Sequence, residues 1–368
     1  MTTGRALQAF ARPLLAFCLL ISACAGVSPP PASAQEQPIE IRSATLPFKI
    51  DDPDATRLGR LIWRGGVAMT ANSASFGGWS DLDVSADGKT LTSISDVGAW
   101  LTATIDYDGK GNLVGLSSAR IGQLRDRDGK PIHSKEEADA ESMARLPDGS
   151  WLVAFERNHR IWRYPDLQSV PTLVEGPPGI ADLPANGGIE AMTALADGRV
   201  VAISETYRPR PDAVAGWVGS REPDGRYRWR AFDYPTIPEF YPTAITRLPD
   251  GSFVTLERAF DFARGVRCRI MRFEAADLDS GGIVRPQELA RLASPYAVDN
   301  LEGLAAGKGV VIDEQEQRRQ IIVGRHGGGL WRQRRFHRES GSGQRKGSTG
   351  LTSRCMPADS GQSGPACP

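Results

Sequence analysis

Short runs of alternating apolar and polar residues follow one another along most of the chain, and turn residues separate them. The pattern is clearest at residues 141–156, where two runs rich in apolar and β-branched residues flank the pair Asp148-Gly149. Such a pair between two such runs is the strongest short-range signal of a β-hairpin. The same pattern recurs at residues 80–96, 190–205 and 243–257, and a fragment of it begins at Glu302.

The spacing of these hairpins is typical of a β-propeller. Their turn residues Asp87, Asp148, Asp197 and Asp250 recur at intervals of about 50–60 residues, close to the length of one four-stranded blade. No convincing amphipathic helix interrupts residues 58–305. The sequence therefore predicts an all-β propeller of about five to six four-stranded blades. A pair of β-sandwiches is the alternative, but it would not require acids at one position of every repeat.

The N-terminus has the pattern of an export signal. Arg5 and Arg12 precede a short apolar run, and residues 32–34 (Ala-Ser-Ala) form a small-x-small cleavage site. This predicts a signal peptide over residues 1–34 and a periplasmic or secreted protein. Residues 21–24 resemble a lipobox, so a lipoprotein cleaved before Cys24 and anchored to the bacterial envelope is the alternative.

The mature chain divides into three predicted parts. Residues 35–57 are a lead-in strand and linker, residues 58–309 are the propeller domain, and residues 310–368 are a tail rich in Arg, Gly and Ser. Such a composition buries too little apolar surface to offset its ordering entropy, which predicts disorder. The alternative is a frame-shifted tail that replaces the closing strands and leaves the last blade incomplete.

Charge and hydropathy exclude several classes of partner. The chain has 44 Lys and Arg against 44 Asp and Glu, which argues against bulk attraction to nucleic acid or an anionic membrane surface. No apolar run after the leader is long enough to span a bilayer. We expect a monomer that acts on a small molecule.

The ends of the hairpins are acidic, which is unusual for paired strands. Folding residues 141–156 about their turn makes Glu141 and Glu156 cross-strand partners, and Glu190 and Glu205 pair in the same way. Like charges opposite each other destabilise a sheet. Their repetition therefore suggests a compensating cation or a catalytic use, and these four glutamates are the predicted catalytic residues.

In a propeller the innermost strands line a channel, so the acids that begin them converge on one mouth. Acids that also end the second strands reach the same face, although Asp81 is offset by one position and Thr243 interrupts the ring. Ca²⁺ takes six to eight oxygen ligands of this kind, whereas the chain has only 4 His and no zinc-binding spacing. The predicted calcium ligands are Asp81, Asp96, Glu141, Glu190, Glu257, Asp299, Asn300 and Glu302.

Basic residues accompany the acids at short range. A guanidinium next to a metal-bound carboxylate suits a phosphate group, which the Arg binds through two parallel hydrogen bonds. The pattern predicts cleavage of phosphoesters, with substrate-binding roles for Arg157, Arg208, Arg258 and Tyr241. Two other functions remain open: a calcium-dependent lactonase or carboxylesterase, and a non-catalytic binding module in which calcium only stabilises the blades.

Nine short motifs resemble, as an ordered set, the phytase-like family described as having esterase-like activity of phytase. The resemblance covers about residues 39–307 and implies an exported propeller rich in Asp and Glu that hydrolyses esters or phosphoesters. A Ser-Asp-Asp-Asn-Phe-like strand and an apolar closing strand, usual in the family, are not recognisable after Lys308. The motifs lie at residues 76–82, 94–96, 139–143, 155–157, 186–192, 204–205, 241–243, 256–258 and 299–303.

Overall fold

Antiparallel strands make up nearly all of the regular structure, in agreement with the predicted all-β class. A computed structural model describes residues 36–279, 282–298, 300–310 and 319–325. The predicted signal peptide, Asp299 and most of the predicted tail lie outside these ranges. The helices in the described ranges are all too short to cross a membrane. They are α1 (Lys135–Ala138), α2 (Ala275–Asp279) and a 3-10 turn at Ile180–Asp182.

The chain enters the fold through five short strands. The first strand pairs with the outer edge of the first blade, and the second and fifth pair with each other. The rings of Phe48 and Trp63 stack at 5.0 Å in the core that also contains Leu292 and Leu301. The strands are β1 (Gln37–Ile39), β2 (Ile41–Thr45), β3 (Arg57–Leu58), β4 (Leu61–Ile62) and β5 (Val67–Ala71).

Four blades follow, each an antiparallel sheet whose strands are ordered from the inside outwards. The first blade contains β6 (Trp79–Val84), β7 (Thr90–Ser95), β8 (Ala99–Tyr107) and β9 (Leu113–Gln123), to which β1 adds a fifth strand. The second contains β10 (Ala140–Arg145), β11 (Trp151–Phe155), β12 (Arg160–Tyr164) and β13 (Thr172–Val174). The third contains β14 (Ile189–Ala194), β15 (Val200–Ser204), β16 (Ala213–Arg221) and β17 (Tyr227–Pro235). The fourth contains β18 (Tyr241–Arg247), β19 (Phe253–Asp261), β20 (Gly265–Phe273) and β21 (Gln287–Leu292).

A fifth, shorter sheet closes the ring. Strand β22 (Leu301–Val310) pairs with β23 (Arg319–Arg325), and β22 contacts β18 on one side and β6 on the other. The inner strands β6, β10, β14, β18 and β22 therefore surround one channel. The propeller prediction is confirmed, with four sheets of four or more strands and a two-stranded fifth in the described ranges. Strand β23 lies within the stretch that the sequence analysis assigned to the tail.

The four predicted Asp-Gly turns join the first and second strands of their blades. In the second blade the Leu146 N–H donates to the Ser150 carbonyl at 2.8 Å, and the Gly149 N–H donates to the Leu146 carbonyl at 2.9 Å. Gly149 has φ 87°, a left-handed conformation that costs glycine little because it has no Cβ. The four turns therefore lie at the same end of the channel.

At the opposite end, every inner strand contains a β-bulge at the same position. A bulge inserts one extra residue, bends the strand and redirects a side chain. The register shifts between flanking pairs such as Ala140 with Phe155 and Ser142 with Ala154, which leaves one residue of the inner strand unpaired. The five bulged residues are Ser80, Glu141, Glu190, Thr243 and Glu302.

Small polar side chains near the bulges link neighbouring inner strands. The Ser142 hydroxyl donates to the Ile189 carbonyl at 2.7 Å, and the Thr243 hydroxyl donates to the Leu301 carbonyl at 3.1 Å. Asp81 accepts the Met143 N–H at 2.8 Å from the next blade. These bonds pair backbone groups of one inner strand with a side chain of the neighbouring strand.

Asp83, on the inner strand β6, is expected to make the free energy of unfolding depend on pH. It lines a cavity of about 400 Å³ between the inner strands, and burial raises its pKa to about 6 although Arg145 acts in the opposite direction. The folded state thus favours the protonated carboxyl, and this stabilisation is lost as the pH rises through 6. We expect Asp83→Asn to raise the free energy of unfolding by up to about 3 kcal/mol at pH 7.5 and by about 1 kcal/mol at pH 4.5.

Urea unfolding of the wild type and Asp83→Asn at both pH values measures this difference. A gain that is equal at the two pH values would contradict the assignment of the pH dependence to this carboxyl.

Candidate functional site

Six carboxyl groups meet at the bulged end of the channel. Three belong to the bulge residues Glu141, Glu190 and Glu302, and the other three to Asp139, Glu156 and Glu205, at the ends of neighbouring strands. Five of them form two groups in which the ligand atoms lie within 4.8 Å of one another, and Glu156 belongs to both. The first group is Asp139, Glu141 and Glu156, and the second is Glu156, Glu190 and Glu205.

Glu156 is held by the backbone of the next blade. One of its oxygens, Oε1, accepts the N–H groups of Gly187 and Gly188, the latter at 2.9 Å. A Cβ on Gly188 would lie 3.0 Å from His159 Nδ1 and 3.3 Å from Glu156 Cγ, so only glycine approaches this closely without displacing a neighbour. The other oxygen, Oε2, takes no part in these two bonds, which suits the membership of Glu156 in both groups.

Two basic residues compensate Asp139, which is buried. The Lys135 ammonium donates to Oδ1, and Arg157 Nε donates to Oδ2 at 2.5 Å. Arg157 has φ 60°, an uncommon conformation for a residue with a Cβ and a form of strain that collects at functional sites. The strained backbone places the guanidinium directly beside the acids.

Arg258 occupies the other side of the mouth. Its guanidinium lies 2.5 Å from Glu302 Oε1 and 3.7 Å from Glu205 Oε1, and it donates to Asn300 Oδ1 at 2.7 Å. The Arg258 side chain is only 19% exposed, so these charges interact with little screening by water. Arg258 therefore contacts two of the six acids, Glu205 and Glu302.

The acids that face each other keep their protons more strongly than free carboxyl groups do. Burial raises the pKa of Glu141 well above its usual value, and the neighbouring Asp139 raises it further. Burial and the charge of Glu205 do the same to the pKa of Glu190, and burial raises the pKa of Glu205. Six carboxyl groups with three nearby basic residues can hold a cation or share protons in pairs.

Of the predicted ligands within the described residues, only Glu141 and Glu190 belong to the two groups. Asp81 is buried between blades with backbone partners, and Asp96 pairs with the Lys135 ammonium at 2.9 Å. Glu257 accepts the Tyr234 hydroxyl at 3.0 Å and pairs with Arg269 Nη2 at 3.0 Å. Asn300 and Glu302 lie beside Arg258, and Asp299 is outside the described residues.

The remaining predicted substrate-binding residues contact each other. The Arg208 guanidinium lies 5.5 Å from the centre of the Tyr241 ring and donates to the Thr236 hydroxyl at 3.0 Å. Tyr241 begins β18, two residues before the bulge at Thr243. The structure gives this pair no hydrogen bond or ion pair to the six carboxyl groups.

Sequence reasoning did not select Asp139 or Lys135. Asp139 had a signal, because it opens one of the family-like motifs and lies two residues before Glu141. Its place follows from a backbone bond, since the Glu156 N–H donates to the Asp139 carbonyl at 2.7 Å. Lys135 lies on α1 and reaches the site through tertiary packing, which no local pattern indicates.

Arg258 should stabilise the fold through these acids. We expect Arg258→Met to lower the free energy of unfolding by about 3 kcal/mol at pH 7.5, because it leaves buried carboxylates without an opposite charge. The loss should be smaller at pH 5, where the acids with raised pKa values take up protons. Denaturant unfolding at the two pH values measures both effects.

The matched control is Arg228→Met, which removes an Arg that is 79% exposed and 2.9 Å from Glu222. An exposed pair of this kind contributes less than about 1 kcal/mol. Equal losses in the two variants would show that the position of Arg258 at the mouth has no special importance.

Comparisons with known proteins place this fold in a family. Among solved structures, the chain is similar to a Xanthomonas campestris gluconolactonase (13% identity, 81% of this chain and 88% of that chain covered, TM-score 0.36). It is also similar to virginiamycin B lyase from Staphylococcus aureus (11% identity, 72% and 79% covered, TM-score 0.34). No functionally curated protein matches it. The model of the phytase-like family, described as "Esterase-like activity of phytase", matches residues 74–324. These residues include all five inner strands and the six carboxyl groups, and the chain therefore belongs to the phytase-like family.

Proposed function

We propose that this protein is a hydrolase that uses a divalent cation, calcium, to cleave phosphoesters at the acidic mouth of its channel. The observation that supports the proposal is that two groups of three acidic residues share Glu156. Buried acids crowded in this way cost free energy unless a positive charge compensates them. Family membership supports ester hydrolysis as the type of reaction.

The donor set suits calcium. Both groups consist of carboxylates, which hard cations such as Ca²⁺ prefer, and neither contains a His or Cys ligand. Glu156 would be a ligand in either position, together with Asp139 and Glu141 or with Glu190 and Glu205. The predicted export would place the protein where calcium sites of modest affinity are filled.

The residues around the mouth have distinct proposed roles. When bound, the cation would polarise a phosphoryl oxygen and lower the pKa of a water molecule. Arg157 would orient the phosphate, since its strained backbone holds the guanidinium at the edge of the acids. Glu141 and Glu190 would transfer protons, because burial raises their pKa values and lets them take up a proton more readily than an ordinary carboxyl group does.

A neutral ester or lactone is the second candidate substrate. The mouth has twice as many carboxyl groups as nearby basic residues, and Arg258 is already engaged by Glu205 and Glu302. An uncharged ester would escape the repulsion that a phosphate dianion meets here. Assaying phosphomonoesters, phosphodiesters, lactones and carboxylic esters in parallel separates the two candidates.

Removing the shared carboxylate should abolish the response to calcium. We expect 1 mM CaCl₂ to raise the melting temperature of the wild type by about 5 °C and to leave Glu156→Gln nearly unchanged. Phosphoester turnover should disappear with a chelator and in this variant. Thermal unfolding and a chromogenic phosphoester assay measure the two effects.

Asp96→Asn is the matched control, because this predicted ligand lies outside both groups and pairs with Lys135. It should keep the thermal response to calcium. If chelation changes neither stability nor turnover in the wild type, the proposal is wrong. A thermal response without turnover of any ester would favour a non-catalytic module stabilised by calcium.

Calcium should also compete with protons. Because the pKa values of Glu141 and Glu190 are raised, both groups hold protons to a higher pH than ordinary carboxyl groups do. We expect calcium binding to release protons, and the affinity to increase with pH. Calorimetry in two buffers with different ionisation enthalpies counts them. A binding constant that does not change between pH 5.5 and 8 contradicts this expectation.

A further inference from the structure

The second hairpin of the fourth blade extends past the acidic mouth. Strands β19 and β20 have nine residues each, whereas the equivalent strands β11 and β12 of the second blade have five. The extra length is at the mouth end, since both hairpins start from Asp-Gly turns at the other end of the channel. The loop at residues 262–264 is the part of this hairpin that projects furthest.

Two phenylalanines stand exposed at this projection. Phe260 is 59% exposed and Phe262 is 90% exposed, and their rings contact each other edge to face at 5.4 Å. We call these two residues the aromatic tip. Single exposed apolar residues are common on protein surfaces, but a contacting aromatic pair on a projecting loop is an available binding surface.

A network of charged residues holds the aromatic tip in place. Asp261 accepts the backbone N–H groups of Ala263 and Arg264 at 3.0 and 2.8 Å. Arg264 binds both oxygens of Glu239 at 2.8 and 2.7 Å, and Arg267 bridges Glu239 and Asp261. Glu239 has φ 76°, so the loop before β18 keeps an unfavourable conformation while it makes these bonds. The network therefore holds the backbone that carries the two rings.

Strand β19 carries Phe260 two residues beyond Arg258, which contacts the acids. Side chains two residues apart on a strand point to the same face, so Phe260 lies on the face from which Arg258 reaches Glu302. Two residues span about 7 Å along a strand. A small ester whose reacting group is held by the acids can therefore reach Phe260 with its other end.

We propose that the aromatic tip binds the apolar, aryl-bearing part of the ester whose phosphate is held at the acidic mouth. The inference rests on the proposed function and refines its substrate class. It favours aryl phosphoesters over highly polar phosphoesters such as sugar phosphates, because a polar alcohol would gain nothing from two exposed rings. Stacking against an aromatic ring adds affinity without requiring a closed pocket.

The test compares an aryl and an alkyl substrate. The ratio of kcat/KM for 1-naphthyl phosphate to that for methyl phosphate is measured for the wild type and for Phe260→Ser/Phe262→Ser. We expect the double substitution to lower this ratio about tenfold, whereas the single substitution Phe260→Trp, which keeps an aromatic ring, should retain most of it. Leu173→Ser removes a 56% exposed residue on β13 of another blade and should leave the ratio unchanged.

A binding measurement separates failure of this inference from failure of the proposed function. Calorimetry in calcium with 1-naphthylphosphonate and methylphosphonate requires no turnover. If the wild type hydrolyses neither phosphoester, the proposed function fails, and the inference stands only if the naphthyl compound binds more tightly and the double variant loses that preference. An unchanged ratio in the double variant overturns the inference. The inference is also overturned if the double variant keeps the ratio but loses self-association or binding to phosphatidylcholine vesicles. A second copy or a lipid surface then covers the aromatic tip.

Discussion

Repulsion among carboxyl groups that share one small volume is the constraint to which the rest of this structure responds. The bulges in the inner strands deliver Glu141, Glu190 and Glu302 to the same end of the channel. Ser80 and Thr243 take the other two bulge positions, and both flank Glu302 in the order of the ring. The ring is therefore uneven: its acidic side lies between β10 and β14, where both candidate cation groups are found.

The protein compensates the two sides differently. Next to Glu302 a guanidinium supplies the positive charge, and the acids raise the pKa of Arg258 further. On the other side Lys135 and Arg157 bind Asp139, while Glu141 and Glu190 are left to hold protons or share a cation. A fixed charge on one side and an exchangeable charge on the other would let the mouth bind a metal ion without losing its shape.

Much of the fold follows from local sequence patterns, whereas the detail of the site does not. Asp-Gly turns and alternating runs predict the hairpins, and their spacing predicts the blades. Glu141 and Glu156 were expected to be direct partners, but the turn and the bulge each shift the pairing by one residue, and neither shift leaves a mark in such patterns. As a result Asp139 lies opposite Glu156. Counted from the Asp-Gly turn, Arg258 rather than Glu257 occupies the repeat position of Glu156. Glu257 lies one residue earlier in its strand, so its side chain points to the other face, towards Tyr234 and Arg269. That offset of one residue can be read from the sequence.

The central claim is that the acidic side of the mouth is a cation site organised by Glu156. The most direct measurement is anomalous diffraction from crystals soaked in calcium or in a lanthanide that replaces it. The account predicts a peak within coordination distance of Glu156 and of at least two carboxylates from its two groups. A peak at Glu257 or Asp96, or a mouth without any peak at saturating cation, would contradict it.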